Sequence, residues 1–357
     1  MFFWFYFLSK EVFYLKMKKI FIILISILLV LCCSSCSKVD TQKEYRGEII
    51  DGANRTVKIP VDDDSRIASV YAVSVPFLVA LKLTDKVVAI NVKSDFWNKA
   101  DESLNKAPTV GRGNVDLEKL ASLNPTVFIH RSNDSKTVEA VDKLGIDTIC
   151  IKVENIDDIV YTLQILGEYF NKQEEANNTI EWINSKLDYV DSIVSKIPEE
   201  DRKTAILIGG EKDRVAGKDM LQTWMIERAG GIPVVEEEMN HNWINIGIEK
   251  IFMYNPDFIF ETTSTSRNYT SEELINDSAW SEVNAIKNKD LYVIPTPLDS
   301  WDMPGISCVL GIMYMLHKMY PDYLSLDDLR KEVNEYYEFM FNSNFDDVLN
   351  IDWSNFN

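Results

Sequence analysis

The sequence predicts an α/β protein of two similar lobes, each built on a mostly parallel sheet, joined by a long helix. Three observations lead there. The first is an internal repeat. Asn114-Val-Asp-Leu-Glu118-Lys119-Leu-Ala-Ser-Leu-Asn124-Pro125 and the strand after it match Asn245-Ile-Gly-Ile-Glu249-Lys250-Ile-Phe-Met-Tyr-Asn255-Pro256 and its strand, with Asn, Glu, Lys, Asn and Pro at the same ungapped offsets. One copy in each half of the chain indicates duplicated lobes. The second is the alternation of apolar strand-like runs with helical patterns, which implies parallel sheets covered on both faces. The third is residues 154–197, where Ile180, Ile183, Leu187, Val190, Val194 and Ile197 recur at spacings of three and four along one helical face.

Each repeat copy reads as a short helix with an Asn cap at its start and Glu in its first turn, where the helix dipole favours an anion. An Asn-Pro pair then stops the helix and releases the chain into an apolar strand. The remaining elements follow in order. After a preface over 45–60, with a turn signal at Asn54-Arg55, strands are expected at 66–71, 87–92 and 108–110, with a helix over 75–83 that Ser74 caps. The first repeat gives way to a helix over 135–144 and a strand over 147–151. Helices to about 171 and over 173–197 carry the chain to a second α/β series. Its strands are expected at 204–208, 233–235, 257–261 and 289–295, and its helices at 220–229, 305–320 and 326–341.

The net charge of −19 argues against nucleic acid, which requires a basic footprint. With 357 residues the chain is long enough for two domains. At the N-terminus, Met17-Lys18-Lys19 precedes an apolar run from Ile20 to Leu31 broken only by Ser26, and Ser34-Ser35-Cys36 follows. The run is shorter than the roughly 20 residues that span a bilayer. It resembles a bacterial lipoprotein signal peptide, which implies cleavage before a lipidated Cys36. Cys150 and Cys308 sit in apolar contexts and are expected to be core thiols, with neither a disulfide framework nor a metal site.

In open α/β sheets ligands bind beyond the carboxyl ends of strands, so the residues there are the candidates for contact. In the first half these are Tyr71, Ser74, Trp97, Arg112 and Arg131; in the second, Arg214, His241, Trp243, Arg267 and Trp301. Aromatic faces with arginine forks suit a bulky or chelated ligand carrying anionic groups. Three histidines spread along the whole chain disfavour a His-rich metal site. No Gly-x-Ser-x-Gly elbow or phosphate loop points to an enzyme, and Gly209-Gly210 after a strand is too little to imply dinucleotide binding.

The repeat units, the long helix, Glu227-Arg-Ala-Gly-Gly231, the segment from Trp280 through Asp290-Leu-Tyr-Val-Ile-Pro295, and Trp301 ahead of Gly305 and Gly311 stand in a characteristic order. Together they resemble the substrate-binding lipoproteins of ABC importers, in the class that carries iron–siderophores, haem or cobalamin. That resemblance implies two Rossmann-like lobes on a rigid helix with a ligand cleft between them, no catalysis and no resident cofactor. The implied ligand is an iron–siderophore first, or else haem or a corrinoid. A chelatase-like enzyme on similar lobes is the alternative from another class. By position, Glu118 and Glu249 would dock on the permease dimer, which works with its cytoplasmic ATPase. The expected layout is 1–36 extension and signal peptide, 37–44 tether, 45–153 first lobe, 154–198 linking helices, 199–341 second lobe and 342–357 tail. The protein would then be held to the cell membrane by its lipid, facing the periplasm or the exterior.

Overall fold

The computed structural model describes residues 44–62, 64–91, 97, 101–112, 114–237, 242–263, 266–298 and 300–343. Cys36 and the rest of the signal region lie outside them. Strands β1 (Tyr45–Ile50) and β2 (Thr56–Pro60) form an antiparallel hairpin. Asp51 sets its turn by accepting from the main-chain N–H of Ala53 and Arg55, and its other carboxylate oxygen accepts from Cys150 N, which fastens the hairpin to the lobe.

The first lobe continues with β3 (Ile67–Ser69), α1 (Val75–Ala80), β4 (Val87–Ala89), α2 (Glu102–Lys106), β5 (Gly111–Arg112) and β6 (Asn114–Val115). Next come α3 (Leu117–Ser122), β7 (Val127–Arg131), α4 (Ser135–Asp142) and β8 (Asp147–Ile151). Strands β4, β3, β7 and β8 pair in that order, all parallel. The strand expected at 108–110 is reduced to one parallel bridge between Ile90 and Thr109. Helices α5 (Ile156–Tyr169) and α6 (Gln173–Val194) follow. At 22 residues α6 is about 33 Å long. Its buried stripe is Ile183, Leu187, Val190 and Ile193, with Ile180 and Val194 only half-buried at its margin.

The second lobe holds β9 (Thr204–Ile208), β10 (Arg214–Ala216), α7 (Leu221–Arg228), β11 (Ile232–Pro233), β12 (Trp243–Asn245), α8 (Ile248–Tyr254) and β13 (Phe258–Glu261). After these come α9 (Ser271–Ile275), α10 (Asn284–Asn288), β14 (Leu291–Val293), α11 (Cys308–Met319) and α12 (Leu326–Phe341). The sheet order is β12-β10-β9-β13-β14, with β11 also against β9. Strands β9, β13, β14 and β11 are parallel, whereas β10 pairs antiparallel with both β9 and β12, so this sheet is mixed.

Alternation along the strands sorts their side chains between cores. Val127, Ile129, Ala205, Leu207, Phe258 and Phe260 all enter one large cluster shared with α6, α11 and α12. Their neighbours turn outward into a separate cluster for each lobe, Phe128 in the first and Ile206 and Ile259 in the second. α12 lies against α6, where Trp182 stacks on Phe339 at 5.5 Å and Lys186 pairs with Glu332 at 2.6 Å.

The repeat is structural, but its caps are not the asparagines expected from the sequence. Asn114 lies in β6 opposite Arg112, and Asn245 lies in β12 opposite Arg214. Strand pairing keeps both extended, so the cap passes two residues on. Asp116 caps α3 by accepting from Lys119 N at 3.0 Å, and α8 starts after Gly247 (φ 79°) with no side-chain cap. The stops do match: Asn124 (φ 47°) and Asn255 (φ 43°) both take the left-handed conformation that Asn tolerates, immediately before proline. Ser74 precedes α1 without capping it, since its hydroxyl lies 2.8 Å from both Tyr71 O and Ser69 Oγ.

Candidate functional site

Strands β7 and β8 end at Arg131 and Ile151, and beyond them opens a cavity of about 310 Å³. From the first lobe it is lined by Tyr71, Arg131 to Asn133 and Ile151 to Glu154. From the second it is lined by Met220, Leu221 and Gln222 at the start of α7, Trp243 on β12, and Met303 and Pro304. A larger cavity of about 440 Å³ lies among α1, α6 and α12 on the helical side, walled by Trp182 and Phe339. It has no strand end, and the smaller cavity is the site that both lobes build at their strand ends.

The cations of the first-lobe wall are oriented by carboxylates of the same lobe. Arg131 Nη2 donates to Asp134 Oδ2 at 3.2 Å, and that oxygen also meets Nε2 of buried His130 at 3.0 Å. Burial alone would raise the Asp134 carboxyl, yet hydrogen bonds from His130, Thr137 and Arg131 hold it well below the usual range. Burial lowers His130, so the ring is neutral near pH 7. Lys152 lies 3.3 Å from Asp158 and 3.5 Å from Glu154, which outweigh burial and raise its ammonium. Burial pushes the Tyr71 phenol up to about 12. Arg131 engages one guanidinium N–H with Asp134, and its others meet no acceptor among the described residues.

On the opposite wall Trp243 is half-buried, and a Cβ at Gly209 would stand 2.7 Å from its ring. The glycine after β9 therefore makes room for an aromatic face, a simpler role than phosphate binding. Gln222 is 4% exposed, and its Nε2 donates to Asp302 O at 2.8 Å.

Of the ten contact residues expected from the sequence, the cavity gathers Tyr71, Arg131 and Trp243. His241 lies outside the described residues. Ser74 is buried, and so is Trp97, which packs 5.9 Å from Phe341. Arg112 is exposed on the β5–β6 hairpin, away from the cavity lining. Arg214 faces Asn245 across the β10–β12 ladder, where antiparallel pairing has turned an expected loop residue into a strand residue. Arg267 pairs with fully buried Glu261 at 2.9 Å. Trp301 is completely buried, edge-on to Tyr314 at 6.4 Å, so its face belongs to the core and not to the cleft. Sequence reasoning missed Lys152, Glu154 and Gln222. The first two directly follow an expected strand, and the rule that nominated Arg131 would have found them; nothing in the sequence marked Gln222.

Glu118 and Glu249 are exposed in the first turns of α3 and α8 and have no ion-pair or hydrogen-bond partner among the described residues. Cys150 and Cys308 are both buried. No described group of three or more His, Cys, Asp or Glu is placed to hold a metal ion, and no described helix is long and apolar enough to cross a membrane.

Residues 67–298, more than half of the 357-residue chain, match the family model described as periplasmic binding protein. The chain belongs to that family. This periplasmic binding protein is similar to the molybdate-binding protein MolA of Haemophilus influenzae, with 20% identity over 331 residues, 83% of this chain and 91% of that one. Its fold matches a periplasmic solute-binding protein from Veillonella parvula (TM-score 0.71, 22% identity, 85% of this chain and 97% of that one). It also matches Helicobacter pylori CeuE with Ni(II) bound (TM-score 0.67, 20% identity, 84% and 98%). It is a binding protein and not an enzyme, with the two-lobe α/β fold expected from its sequence.

Proposed function

We propose that this binding protein captures an anionic metal chelate, an iron–siderophore foremost, and delivers it to the permease dimer of its importer. The observation that carries this reading is the meeting of Tyr71, Arg131, Lys152 and Trp243, from both lobes, around one cavity. Carboxylates fix Arg131 and Lys152 in place, which lets their remaining N–H groups meet ligand oxygens with little loss of side-chain freedom. The protein supplies no metal-ligand cluster among its described residues, which suits a metal that arrives already chelated. Docking falls to Glu118 and Glu249, two carboxylates without a partner among the described residues, on equivalent helices of duplicated lobes. Carboxylate–arginine contacts would give register and steering on a two-fold symmetric permease. Lipidation of Cys36 would hold the carrier at the membrane.

A second reading is a bare metal oxyanion. It is favoured by the cavity volume of about 310 Å³, at the small end for ligand pockets, and by the molybdate that the Haemophilus relative binds. Two measurements test the proposal. Native mass spectrometry with absorbance of protein purified from its host should reveal a ferric chelate band. Glu118→Ala with Glu249→Ala should abolish uptake while the dissociation constant stays within about threefold, under 1 kcal/mol. Undiminished uptake by the double variant sinks the docking assignment.

A further inference from the structure

The larger cavity, of about 440 Å³, lies among α1, α6 and α12 and shares no lining residue with the cleft. Its interior is mostly apolar. Val79, Ala80 and Met340 are buried, and Trp182 stacks on Phe339 at 5.5 Å along one side. The buried hydroxyl of Thr179 is satisfied by Glu175 O at 2.8 Å. Of the three carboxylates on the lining, Glu175 pairs with Lys172 at 2.7 Å and Glu335 pairs with Lys186, which leaves exposed Glu338. Lys82, exposed just past α1, makes no side-chain hydrogen bond or ion pair among the described residues. An apolar recess with a polar rim marks a place where something docks. Two of three carboxylates already hold a lysine, which disfavours an organic cation as the occupant.

The chain itself leaves α12 at this cavity. Asn342 is an exposed lining residue, and its left-handed conformation (φ 51°, ψ 35°) ends the helix and turns the chain off its axis. The lining follows α12 from Glu335 to Asn342, about 10 Å of helix. Residues 344–357 lie outside the described residues. Six of these fourteen are apolar, Phe345, Val348, Leu349, Ile351, Trp353 and Phe356, too many for a segment that stays in water. The N-terminal region joins the fold at β1, which lines no part of this cavity. We propose that the segment from Phe345 to Leu349 folds back and fills the cavity, its apolar side chains on Val79, Met340 and the Trp182–Phe339 pair, with Asp346 or Asp347 paired to Lys82. Asp347 is five residues past Asn342, a reach of about 17 Å. That suffices, because α1 and α12 are in contact and packed helices lie about 8–10 Å apart. α1 belongs to the first lobe and α12 to the second, so the filled cavity fastens the lobes to each other on the helical side. The fastening is independent of what the cleft binds.

The test uses the full-length protein and a carbodiimide, which joins a carboxylate only to an amine in contact with it. Peptide mass spectrometry of the cross-linked protein should find Lys82 joined to Asp346 or Asp347 within one chain. Phe345→Asp with Leu349→Asp should remove that link, because charge would be forced into the apolar recess. The same pair should lower Tm by at least about 2 °C and speed amide exchange in the last turn of α12 by about tenfold or more. A chain stopped after Ser343 should show the same two changes. All of these alterations lie beyond the core and leave its packing in place. A link from Lys82 to the segment of another molecule assigns the cavity to a second copy and overturns the proposal. So does the absence of any link from Lys82 to residues 344–357. Unchanged melting and exchange in the stopped chain overturn the fastening even where the link forms.

Discussion

Replacing Trp301 with alanine separates a core residue from a ligand-binding one. The indole is 0% exposed, packs edge-on to Tyr314, and belongs to the large central cluster. Its main chain crosses α11 at Gly311, where a Cβ would stand 2.3 Å from Trp301 O, so the surrounding backbone has little room to collapse into a void. Truncating a fully buried Trp costs about 3–5 kcal/mol, and poor collapse favours the upper half of that range. Unfolding entropy of about 2.1 cal/mol/K per residue over Tyr45–Asn357 then converts this to a drop in Tm of about 5–8 °C. Differential scanning calorimetry measures that drop, and calorimetric titration below the transition measures affinity. The dissociation constant of the folded variant should stay within about threefold of the parent. A variant that melts within about 1 °C of the parent but loses about tenfold or more in affinity would show that the ring faces the ligand, and the packing account would be wrong.

Two further outcomes follow from buried charge and from pH. Arg267→Met leaves Glu261 buried without its cation, and it should destabilise by about 2–3 kcal/mol, below the usual range for a fully buried pair because Arg267 is partly exposed. Denaturant melts should recover most of this in the Glu261→Gln, Arg267→Met double variant; no recovery would place the cost outside the ion pair. Burial lowers both His130 and His317, so below the ordinary histidine value of about 6.5 the unfolded chain takes up protons first. The two histidines should therefore make stability fall as pH drops from about 6.5 towards their depressed folded values, and a urea midpoint unchanged between about pH 7.5 and 5.5 would contradict it.

What the sequence made legible was whatever depended on period and punctuation. The stripe through Ile183, Leu187 and Val190 located the long helix, and the Asn-Pro stops located the ends of α3 and α8 because left-handed asparagine before proline has a local cause. Pairing was not legible. That Arg214 belongs to an antiparallel β10, and that Asn114 and Asn245 are strand residues, depends on partners about 30 residues away or on a hairpin turn. Of the cavity lining, Tyr71 and Arg131 were legible because they stand at or just past strand ends. Legibility failed at Trp97 and Trp301, since an indole looks the same in sequence whether it packs a core or lines a cleft. It failed again at Arg267, because the buried Glu261 that holds it was taken only as the end of a strand.

The central cluster runs without a break from the first sheet through α6 and α11 to the second sheet, and α12 ties its far side to α1 and α6. Two halves that share one interior cannot swing apart on a free joint without wetting it. Opening of the cleft is thereby limited to small elastic flexing, and heat or denaturant should take both halves down in one transition. A bound solute gains little chance of escape from spontaneous gaping, so its residence time is set by contacts within the cleft. With docking as proposed, release then becomes work done on the carrier through the two helices that bear Glu118 and Glu249.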